Sequence, residues 1–408
     1  MENNILITSV NNKVLLIKQF KQVATNYPNT LVFSGDISED VSGALFSDKH
    51  FILPKDNDPQ FINKIKQLCI NNNIKLIIPT RDEELKLFSL YKEELNKCDC
   101  KVIVPSLQTL ETCQNKSKFF KFCENNNIDT PQTYWNVTDI KYPAFTKPIF
   151  GKAGRGAFKV NSKEEIKNTK NNVTQEYIDW QEYTVDLFTD FNGNIISVVP
   201  RKRIKVVNGE SHIGETENNS IIINESINLC NKLGLVGHNV IQCFYKNNQV
   251  KFIEVNPRFG GASNLSFQSG ANSPKFLIDL LNNKSTTPQI GKFTGGLKMY
   301  RHSTDVFINN LIKNKTFCID IDGTLCTEGT EYEKAQPIQK AINKTNKLYE
   351  DNTIILHTAR GASSGYDWRP LTEKQLNQWG VKYHNLIMGK PYADYYIDNK
   401  AIDVLEWI

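Results

Sequence analysis

Short β-rich runs alternate with amphipathic stretches along residues 1–107, and this alternation limits the folds open to the chain more than any other feature. The runs read ILITSV, TLVFSG, IKLIIP and CKVIVP, and one of the stretches between them reads FINKIKQLCINNN. Strands that alternate with helices form parallel sheets, because each helix carries the chain back across a face of the sheet. We therefore expect residues 1–107 to form an α/β lobe on a parallel sheet.

The turn after the first of these runs is Asn11-Asn12-Lys13. A dinucleotide site on such a lobe needs the spacing GxGxxG at this turn, because glycine lets the backbone approach a pyrophosphate closely. The lobe resembles a Rossmann fold without this fingerprint, so neither nicotinamide nor flavin binding is predicted.

The composition excludes several classes of protein. The 408 residues are 39% hydrophobic and 23% charged, which is typical of a globular chain long enough for two or three domains. The net charge of +5 is small and the basic residues are scattered, so no nucleic-acid partner is predicted. The nine cysteines include no CxxC pair, which indicates neither a disulfide framework nor a zinc site. No signal peptide is recognisable and no apolar run approaches about 18 residues, so we expect a cytoplasmic protein without a membrane partner.

A glycine-rich segment at residues 142–160 is the first candidate for chemistry. It consists of a β-rich run that carries Lys147, a loop, and a second β-rich run. The loop holds three glycines and one arginine: Gly151, Gly154, Arg155 and Gly156. Such a hairpin can fold backbone amides over phosphates while the lysine reaches the same anion. A mobile turn without a ligand is the alternative reading of this segment.

A second hairpin is predicted over residues 237–261, with its turn centred on Asn248. This register places Gln242 opposite Glu254, and period-two alternation places Glu254 and Asn256 on one face. Amide and carboxylate oxygens are ligands that suit Mg²⁺, which usually completes its coordination with substrate phosphates and water. The alternative is the polar face of a solvated hairpin.

Together these segments resemble an ATP-grasp enzyme of the carboxylate-amine ligase type, similar to carbamoyl-phosphate synthetase, over about residues 1–300. The resemblance implies a pre-ATP-grasp lobe at 1–107 and an ATP-grasp domain at 108–300. It implies that Lys116 and Lys147 meet the nucleotide phosphates under the glycine-rich loop. It also places the adenine at a hinge that matches Glu176, Tyr177 and Ile178. The ribose would be bound by a carboxylate that matches Glu182.

The same resemblance implies a metal site, a reaction and a set of partners. Gln242, Glu254 and Asn256 match the ligands for Mg²⁺, with Mn²⁺ as an alternative ion, and Arg258 matches the residue that stabilises the transferred phosphoryl group. ATP would convert a small-molecule carboxylate to an acyl phosphate that an amine then attacks. Relatives of this part are often dimers, which makes a homodimer one option.

Arg201 and Arg203 form the one local basic cluster, within the segment VVPRKRIKVVNGESHIG. Arginine binds carboxylates and phosphates through two parallel hydrogen bonds, so both residues are candidates for a substrate clamp. A solvated strand face is the alternative interpretation of the cluster.

The segment FCIDIDGTLC at residues 317–326 predicts a second site. It indicates a buried strand that ends with Asp320 and Asp322 on one side, followed by Gly323 in a tight turn. Asp320 could act as a nucleophile that forms an aspartyl phosphate, and Asp322 could protonate the leaving oxygen and then activate water.

Further polar residues follow the later strands predicted for this region. Thr358 ends the run NTIILHT, Lys390 lies in MGKP, and Asp398 ends a predicted third strand in DYYIDNKA. Ligands of open α/β sheets lie at the carboxyl ends of the strands, so these side chains are expected to meet Asp320 and Asp322.

This set resembles a haloacid-dehalogenase (HAD)-type phosphatase without a large cap over residues 314–408, joined through a linker at 301–313. The resemblance implies that Thr358 and Lys390 hold the phosphate of an ester substrate. It also implies a Mg²⁺ site formed by the side chain of Asp320, the backbone carbonyl of Asp322 and Asp398.

The whole chain is thus predicted to be a multidomain protein of α/β and α+β class with two enzymatic modules. The wording HTARG and GKPYADYYID is most similar to small phosphatases associated with capsule and surface polysaccharide synthesis. Two alternatives stay open from the sequence. The first part could be an ATP-grasp kinase that forms no amide, or one module could be a binding or regulatory domain without turnover.

Overall fold

The computed structural model describes residues 3–151, 154–166, 171–306, 314–329, 331–398 and 400–402. The chain divides into two compact units, Met1–Ser303 and Thr304–Ile408. The division lies inside the stretch predicted as a linker, of which residues 307–313 lie outside the described residues.

The first lobe is built on a five-stranded sheet whose strands are all parallel. In chain order the strands are β1 (Asn4–Thr8), β2 (Val32–Asp36), β3 (Lys49–Ile52), β4 (Ile74–Ile78) and β5 (Lys101–Val102), and the spatial order is β3-β2-β1-β4-β5. The helices are α1 (Val14–Ala24), α2 (Phe61–Asn71), α3 (Asp82–Leu90), α4 (Lys92–Lys97), α5 (Leu107–Gln114) and α6 (Lys116–Asn125). The predicted parallel sheet is confirmed. The edge strand β3 was missed, because none of its side chains is buried and its sequence carries no apolar run.

Two antiparallel sheets follow in the first unit. The smaller has the order β6-β9-β7-β8 and consists of β6 (Thr133–Tyr134), β7 (Ala144–Pro148), β8 (Phe158–Val160) and β9 (Asn172–Glu176). The larger, with the order β14-β13-β10-β11-β12-β15, consists of β10 (Gln181–Thr189), β11 (Ile195–Val207), β12 (Glu210–Thr216), β13 (His238–Lys246), β14 (Gln249–Asn256) and β15 (Lys298–Tyr300). The helices here are α7 (Ser220–Leu233), α8 (Asn264–Gln268) and α9 (Ser273–Leu281).

The lobe and the larger antiparallel sheet share a hydrophobic core. Ile7 of β1 and Phe20 of α1 lie in one buried cluster with Phe259 and Phe276. The rings of Phe20 and Phe259 meet edge to face, with their centroids 5.9 Å apart. Each buried aromatic side chain contributes about 1.5–3 kcal/mol by leaving water. This core therefore anchors the loop after β14 against the parallel lobe.

The second unit contains a three-stranded parallel sheet and two helices among its described residues. The strands are β16 (Thr316–Ile319), β17 (Thr353–Thr358) and β18 (Asn385–Met388), and the helices are α10 (Gln339–Tyr349) and α11 (Arg369–Gln378). The predicted third strand at residues 394–401 is wrong for its described residues, because 394–398 have no regular structure and are exposed. The third strand is instead β18, which pairs with β17 from Ile355↔Asn385 to Thr358↔Met388.

Among the helices that the structure describes, none combines the length and the apolar character needed to cross a bilayer.

Candidate active sites

The hairpin of β13 and β14 carries the predicted metal ligands. Gln242 pairs directly with Glu254, as predicted, but the register nearer the turn differs by one residue, with Lys246 opposite Gln249. An irregularity between Gln242 and Cys243 restores the predicted pair. The turn residues Asn247 and Asn248 have φ of 49° and 63°, the conformation of a type I′ turn, which asparagine tolerates. The Asn256 side-chain amide donates a hydrogen bond to Glu254 Oε1 at 3.1 Å, so these two side chains share one face.

This donor set fits Mg²⁺ with one restriction. Among the described residues, no group of three or more His, Cys, Asp or Glu side chains is placed to hold a metal. A metal at this hairpin would therefore take one carboxylate, from Glu254, and amide oxygens from Gln242 and Asn256. Magnesium often binds in this way, with substrate phosphates and water in its remaining positions.

Two lysines converge on Glu254. Lys116 Nζ lies 3.8 Å from Glu254 Oε2 and donates to the carbonyl of Gly151 at 2.9 Å. Lys147 is only 7% exposed, and its Nζ lies 4.7 Å from the ring centroid of Phe120. Burial lowers the pKa of Lys147 to about 8, with Glu254 raising it and Lys116 lowering it further. A buried ammonium group of this kind is stabilised by a nearby anion such as a phosphate.

Glu182 and Arg203 complete this cluster. Arg203 Nε lies 3.4 Å from Glu182 Oε1. Burial raises the pKa of Glu182, while Arg203 lowers it and Glu254 raises it. Glu182, Arg203, Lys147 and Glu254 thus act on one another electrostatically, and the structure brings these four predicted site residues together.

Arg201 does not join them. Its guanidinium is buried and grips Asp186, with both Nη2–Oδ1 and Nε–Oδ2 at 2.9 Å. Ser263 and Ser266 also donate to this carboxylate, at 3.0 and 2.5 Å. Burial opposes ionisation of Asp186, yet Arg201 and the hydrogen bonds hold its pKa well below the usual range. The predicted clamp must be corrected for Arg201, because Asp186 occupies its guanidinium and the surrounding core covers it.

The predicted adenine hinge joins β9 to β10. The Glu176 carboxylate accepts the backbone N–H of Gln132 at 2.9 Å and pairs with Lys251 Nζ at 2.5 Å. Tyr177 is 37% exposed, and Lys159 Nζ lies 4.1 Å from the centroid of its ring. Ile178 is half-buried. The hinge therefore connects the two antiparallel sheets and leaves an aromatic side chain in solvent.

The glycine-rich loop between β7 and β8 is exposed at Gly151, Gly154, Arg155 and Gly156. Gly154 and Gly156 have φ of 66° and 73°, a conformation that glycine adopts without strain. Residues 152–153 of the loop lie outside the described residues. The hydrogen bond from Lys116 to the Gly151 carbonyl ties the described start of the loop to the lysine cluster.

Arg258 follows β14 and reaches the parallel lobe. Its Nε and Nη2 donate to the two oxygens of Asp82, at the start of α3, at 2.6 and 2.8 Å. Burial works to lower the pKa of Arg258, but the hydrogen bonds with Asp82 leave it raised. The pairing is bidentate, which is the strongest geometry of an arginine with a carboxylate.

Lys13, whose charge interacts with Arg258 and Asp82, was not predicted from the sequence as a candidate site residue. Burial, followed by the positive charge of Arg258, lowers the pKa of Lys13 to about 8, while Glu210 and Asp82 raise it. The turn after β1 was interpreted only through its missing glycines. Its position at the carboxyl end of a central strand was the available signal, because ligands of parallel sheets bind at that edge.

Comparison with known proteins finds similarity within the first unit. Residues 113–262 match the family model described as "ATP-grasp domain", and residues 5–103 match "PylC-like, N-terminal domain". Residues 113–262 are thus similar to ATP-grasp domains. The two matches end at residues 103 and 262, so they do not reach the second unit.

Relatives and solved structures agree with the fold of the ATP-grasp domain. The chain is 28% identical over 199 residues to the carbamoyl phosphate synthase large chain of Thermoanaerobacter pseudethanolicus, a match to 41% of this chain and 18% of that protein. The chain thus matches less than a fifth of the length of this curated relative.

Two crystal structures share the fold at low identity. The biotin carboxylase of Campylobacter jejuni, solved as a β-γ-ATP complex, superposes with a TM-score of 0.58 at 16% identity, over 71% of this chain and 73% of that one. The L-amino acid ligase of Bacillus licheniformis gives a TM-score of 0.55 at 17% identity, over 72% and 78%. ATP-grasp domains bind ATP and Mg²⁺, which are the ligands that the cluster around Glu254 suits.

The second unit gathers four of its predicted site residues at one sheet edge. Asp320 follows β16, and Lys390 Nζ lies 3.1 Å from its Oδ2. Thr358 ends β17, and its hydroxyl donates to Asp322 Oδ2 at 3.4 Å. The backbone N–H of Lys390 donates to the Thr358 carbonyl at 3.0 Å. All four lie at or beyond the carboxyl ends of parallel strands, where such sheets bind ligands.

Asp398 is not gathered with them. Its exposed side chain accepts the backbone N–H of Lys400 at 2.8 Å, in a segment that pairs with no strand among the described residues. Asp398 therefore does not complete the predicted metal site with the Asp320 side chain and the Asp322 carbonyl, and the described residues contain no group of three or more His, Cys, Asp or Glu placed to hold a metal. The predicted role of Asp398 depended on a strand that does not form.

Arg360 was missed by sequence reasoning. Its side chain is completely buried and makes hydrogen bonds to both oxygens of Asp322, of which the shortest, from Nη2 to Oδ1, is 2.7 Å. The available signal was its position in HTARG, two residues after Thr358. In an extended chain, this spacing returns a side chain to the same side of the sheet edge.

Proposed function

We propose that the chain is a bifunctional enzyme, with an ATP- and Mg²⁺-dependent carboxylate-amine ligase in the first unit and a phosphate-monoester hydrolase of the HAD type in the second. The observation that carries the ligase is the contact of Lys116 with Glu254, in a cluster with the buried Lys147, within residues that match an ATP-grasp domain. The observation that carries the hydrolase is the contact of Lys390 with Asp320 beside Asp322 and Thr358.

In the ligase, a substrate carboxylate attacks the γ-phosphoryl group of ATP, which gives an acyl phosphate and ADP. An amine then attacks the acyl carbon and inorganic phosphate leaves. Lys116 and Lys147 bind the nucleotide phosphates. Arg258, whose Nε and Nη2 are held by Asp82, adds the positive charge of its guanidinium to stabilise the transferred group. Glu254, Gln242 and Asn256 would hold Mg²⁺, which would supply charge neutralisation for the phosphates.

In the hydrolase, a carboxylate oxygen of Asp320 attacks the phosphorus of the ester, and the bond to the leaving oxygen breaks. Asp322 gives that oxygen a proton and later takes one from the water that hydrolyses the aspartyl phosphate. Lys390 and Thr358 bind the phosphate oxygens. The magnesium site of the resemblance needs Asp398 beside the Asp320 side chain and the Asp322 carbonyl, and Asp398 does not join them here, so no step is assigned to the metal.

The two reactions form a sequence if one substrate of the ligase already carries a phosphate ester. The phosphate derived from ATP leaves during ligation without help from Asp320, so the hydrolase must act on a second phosphate. Ligation followed by dephosphorylation is the order that we propose, within the synthesis of a surface polysaccharide or a related small molecule. The carboxylate, the amine and the phosphate ester are small molecules.

A product analysis tests this scheme. The full-length protein and its Asp320→Asn variant are incubated with ATP, Mg²⁺ and a panel of carboxylates and of plain and phosphorylated amines, and products are identified by mass. We expect a phosphorylated amide to accumulate only with the variant. Glu254→Gln is the matched control, which should form no amide but still hydrolyse phosphate esters.

Three outcomes contradict parts of the proposal. A dephosphorylated amide from the Asp320→Asn variant would exclude the coupled scheme. Phosphorylated carboxylates or alcohols without amide would favour the ATP-grasp kinase. If no pair of substrates leads to ADP formation, the first unit would be a binding or regulatory module.

A further inference from the structure

The most completely buried charge of the second unit lies next to its proposed acid–base residue. Arg360 is 2% exposed, and its guanidinium contacts both oxygens of Asp322. Nε donates to Oδ1 at 3.1 Å and to Oδ2 at 2.9 Å, and Nη2 donates to Oδ1 at 2.7 Å. A guanidinium held in this fork fixes the plane of the carboxylate as well as its position.

The guanidinium is itself held on its other sides. Nη1 donates to Gln375 Oε1 at 2.7 Å and to Thr372 Oγ1 at 3.3 Å, both on α11. Its central carbon lies 4.7 Å from the ring centroid of Tyr332. The backbone N–H of Arg360 donates to the Thr358 hydroxyl at 3.1 Å. Arg360 thus joins Asp322, Thr358 and α11 in one hydrogen-bonded network.

We propose that Arg360 is a positioning residue of the hydrolase, which orients the Asp322 carboxylate for its two proton transfers. This inference rests on the phosphatase proposed above. Asp320 forms a bond to phosphorus, the ester bond breaks, and the leaving oxygen takes its proton from Asp322. Water then attacks the aspartyl phosphate and returns a proton to Asp322, and inorganic phosphate leaves with Asp320 restored.

This role predicts that Arg360 affects two steps unequally. An alkyl phosphate has a poor leaving group that needs the proton from Asp322, whereas p-nitrophenyl phosphate has a leaving group that departs as an anion. Hydrolysis of the aspartyl phosphate needs Asp322 with either substrate. A chain with a misplaced Asp322 should therefore accept a phosphoryl group from p-nitrophenyl phosphate and release it slowly.

The test compares Arg360→Gln and Arg360→Lys with the wild type and with Arg369→Gln. Arg369 serves as the control because it pairs with Glu373 on the surface of α11, at 3.1 Å. All are full-length proteins, assayed by rapid mixing with p-nitrophenyl phosphate and by steady-state hydrolysis of glycerol phosphate. Intact mass after acid quench measures phosphorylated Asp320.

For Arg360→Gln we expect turnover of glycerol phosphate to fall about 100-fold, the size of a general acid–base contribution. With p-nitrophenyl phosphate, the variant should release a burst of p-nitrophenol at a rate within about threefold of the wild-type rate. The phosphorylated protein should then accumulate, because its hydrolysis is slow. Arg360→Lys should turn over glycerol phosphate about tenfold faster than Arg360→Gln, because lysine keeps the positive charge but cannot form the forked hydrogen bonds of arginine. Arg369→Gln should match the wild type.

Other results overturn the inference. An equal loss of turnover on both substrates, with no burst and no accumulation of phosphorylated protein, would show that Arg360 only supports folding. Unchanged or faster turnover would show that Arg360 does not assist Asp322. If the wild type hydrolyses neither ester, the proposed phosphatase fails, and this inference falls with it.

Discussion

The ATP-grasp site and the site of the second unit are assembled by different kinds of sheet. The first takes Glu254 from an antiparallel hairpin, Lys147 from another sheet and Lys116 from a helix, and its geometry depends on strand register. The second takes Asp320 and Thr358 from the ends of neighbouring parallel strands. A one-residue slip reverses the faces of a hairpin, whereas a parallel sheet gathers strand ends at one edge through its topology alone.

The largest effect is expected from substitutions that separate the two sites. Asp320→Asn should lower phosphate-ester hydrolysis about a thousandfold or more, as loss of a nucleophile does, and leave ADP formation unchanged. Glu254→Gln should do the reverse. Coupled assays of ADP and of inorganic phosphate on the same preparations measure both. Loss of both activities in either variant would show that the two sites do not work independently.

Next in size is the stability effect of the buried pair beneath the ATP-grasp site. Arg201→Met leaves the Asp186 carboxylate buried without its main partner, so the free energy of unfolding should fall by about 3–5 kcal/mol. Arg203→Met removes an arginine two residues away that pairs with Glu182, and it should weaken ATP binding with a smaller loss of stability. Urea unfolding and ATP titration distinguish them. Equal urea midpoints for Arg201→Met and Arg203→Met would contradict the larger stabilising role assigned to Arg201.

A pH dependence should mark the ATP-grasp site alone. Because burial lowers the pKa of Lys147 to about 8, the lysine loses its charge as the pH rises through that value, and phosphate binding weakens. The dissociation constant for ATP should increase about tenfold from about pH 7 to about pH 9. In Lys147→Arg the charge persists, so the increase should be smaller. An identical rise in that variant would assign the effect to another group, such as Lys13.

The smallest effect is expected at the hairpin turn. Asn248 has φ of 63°, a conformation that costs a β-branched residue about 1–2 kcal/mol. Asn248→Val should lower the stability of the first unit by this amount and reduce ADP formation modestly, through the register of Gln242 and Glu254. Asn248→Gly is the control and should match the wild type. Phosphate-ester hydrolysis should be unaffected by both.

The sequence predicted local geometry well and long-range contacts poorly. The pairing of Gln242 with Glu254 was predicted from a turn and from period-two alternation, although the strands reach it through a register irregularity that the sequence did not predict. The partner of Arg201 could not be predicted in this way, because Arg201 and Arg203 have the same spacing and charge. The two arginines differ in the structure because Arg201 is buried against Asp186. Ser263 and Ser266, which also contact Asp186, lie more than sixty positions further along the chain.

The second unit repeats this contrast. The positions of Asp320, Asp322, Thr358 and Lys390 followed from strands that end in polar residues. The strand expected before Asp398 did not form, since β18 already occupies the third place beside β17. Alternation of apolar residues indicates that a segment can form a strand. It does not indicate which of two such segments pairs with a given neighbour in the sheet.

What the sequence by itself determined is the set of candidate ligand-binding side chains, because carboxylates, lysines and glycines at set spacings limit the ligands that each segment can bind. What the tertiary structure decided is which charges remain available. Arg201 and Arg360 are buried against Asp186 and Asp322, whereas Lys116 contacts Glu254 in a cluster where the buried Lys147 also feels its charge. Burial and pairing depend on residues distant in the chain, and they determine whether a charged side chain supports the fold or a ligand.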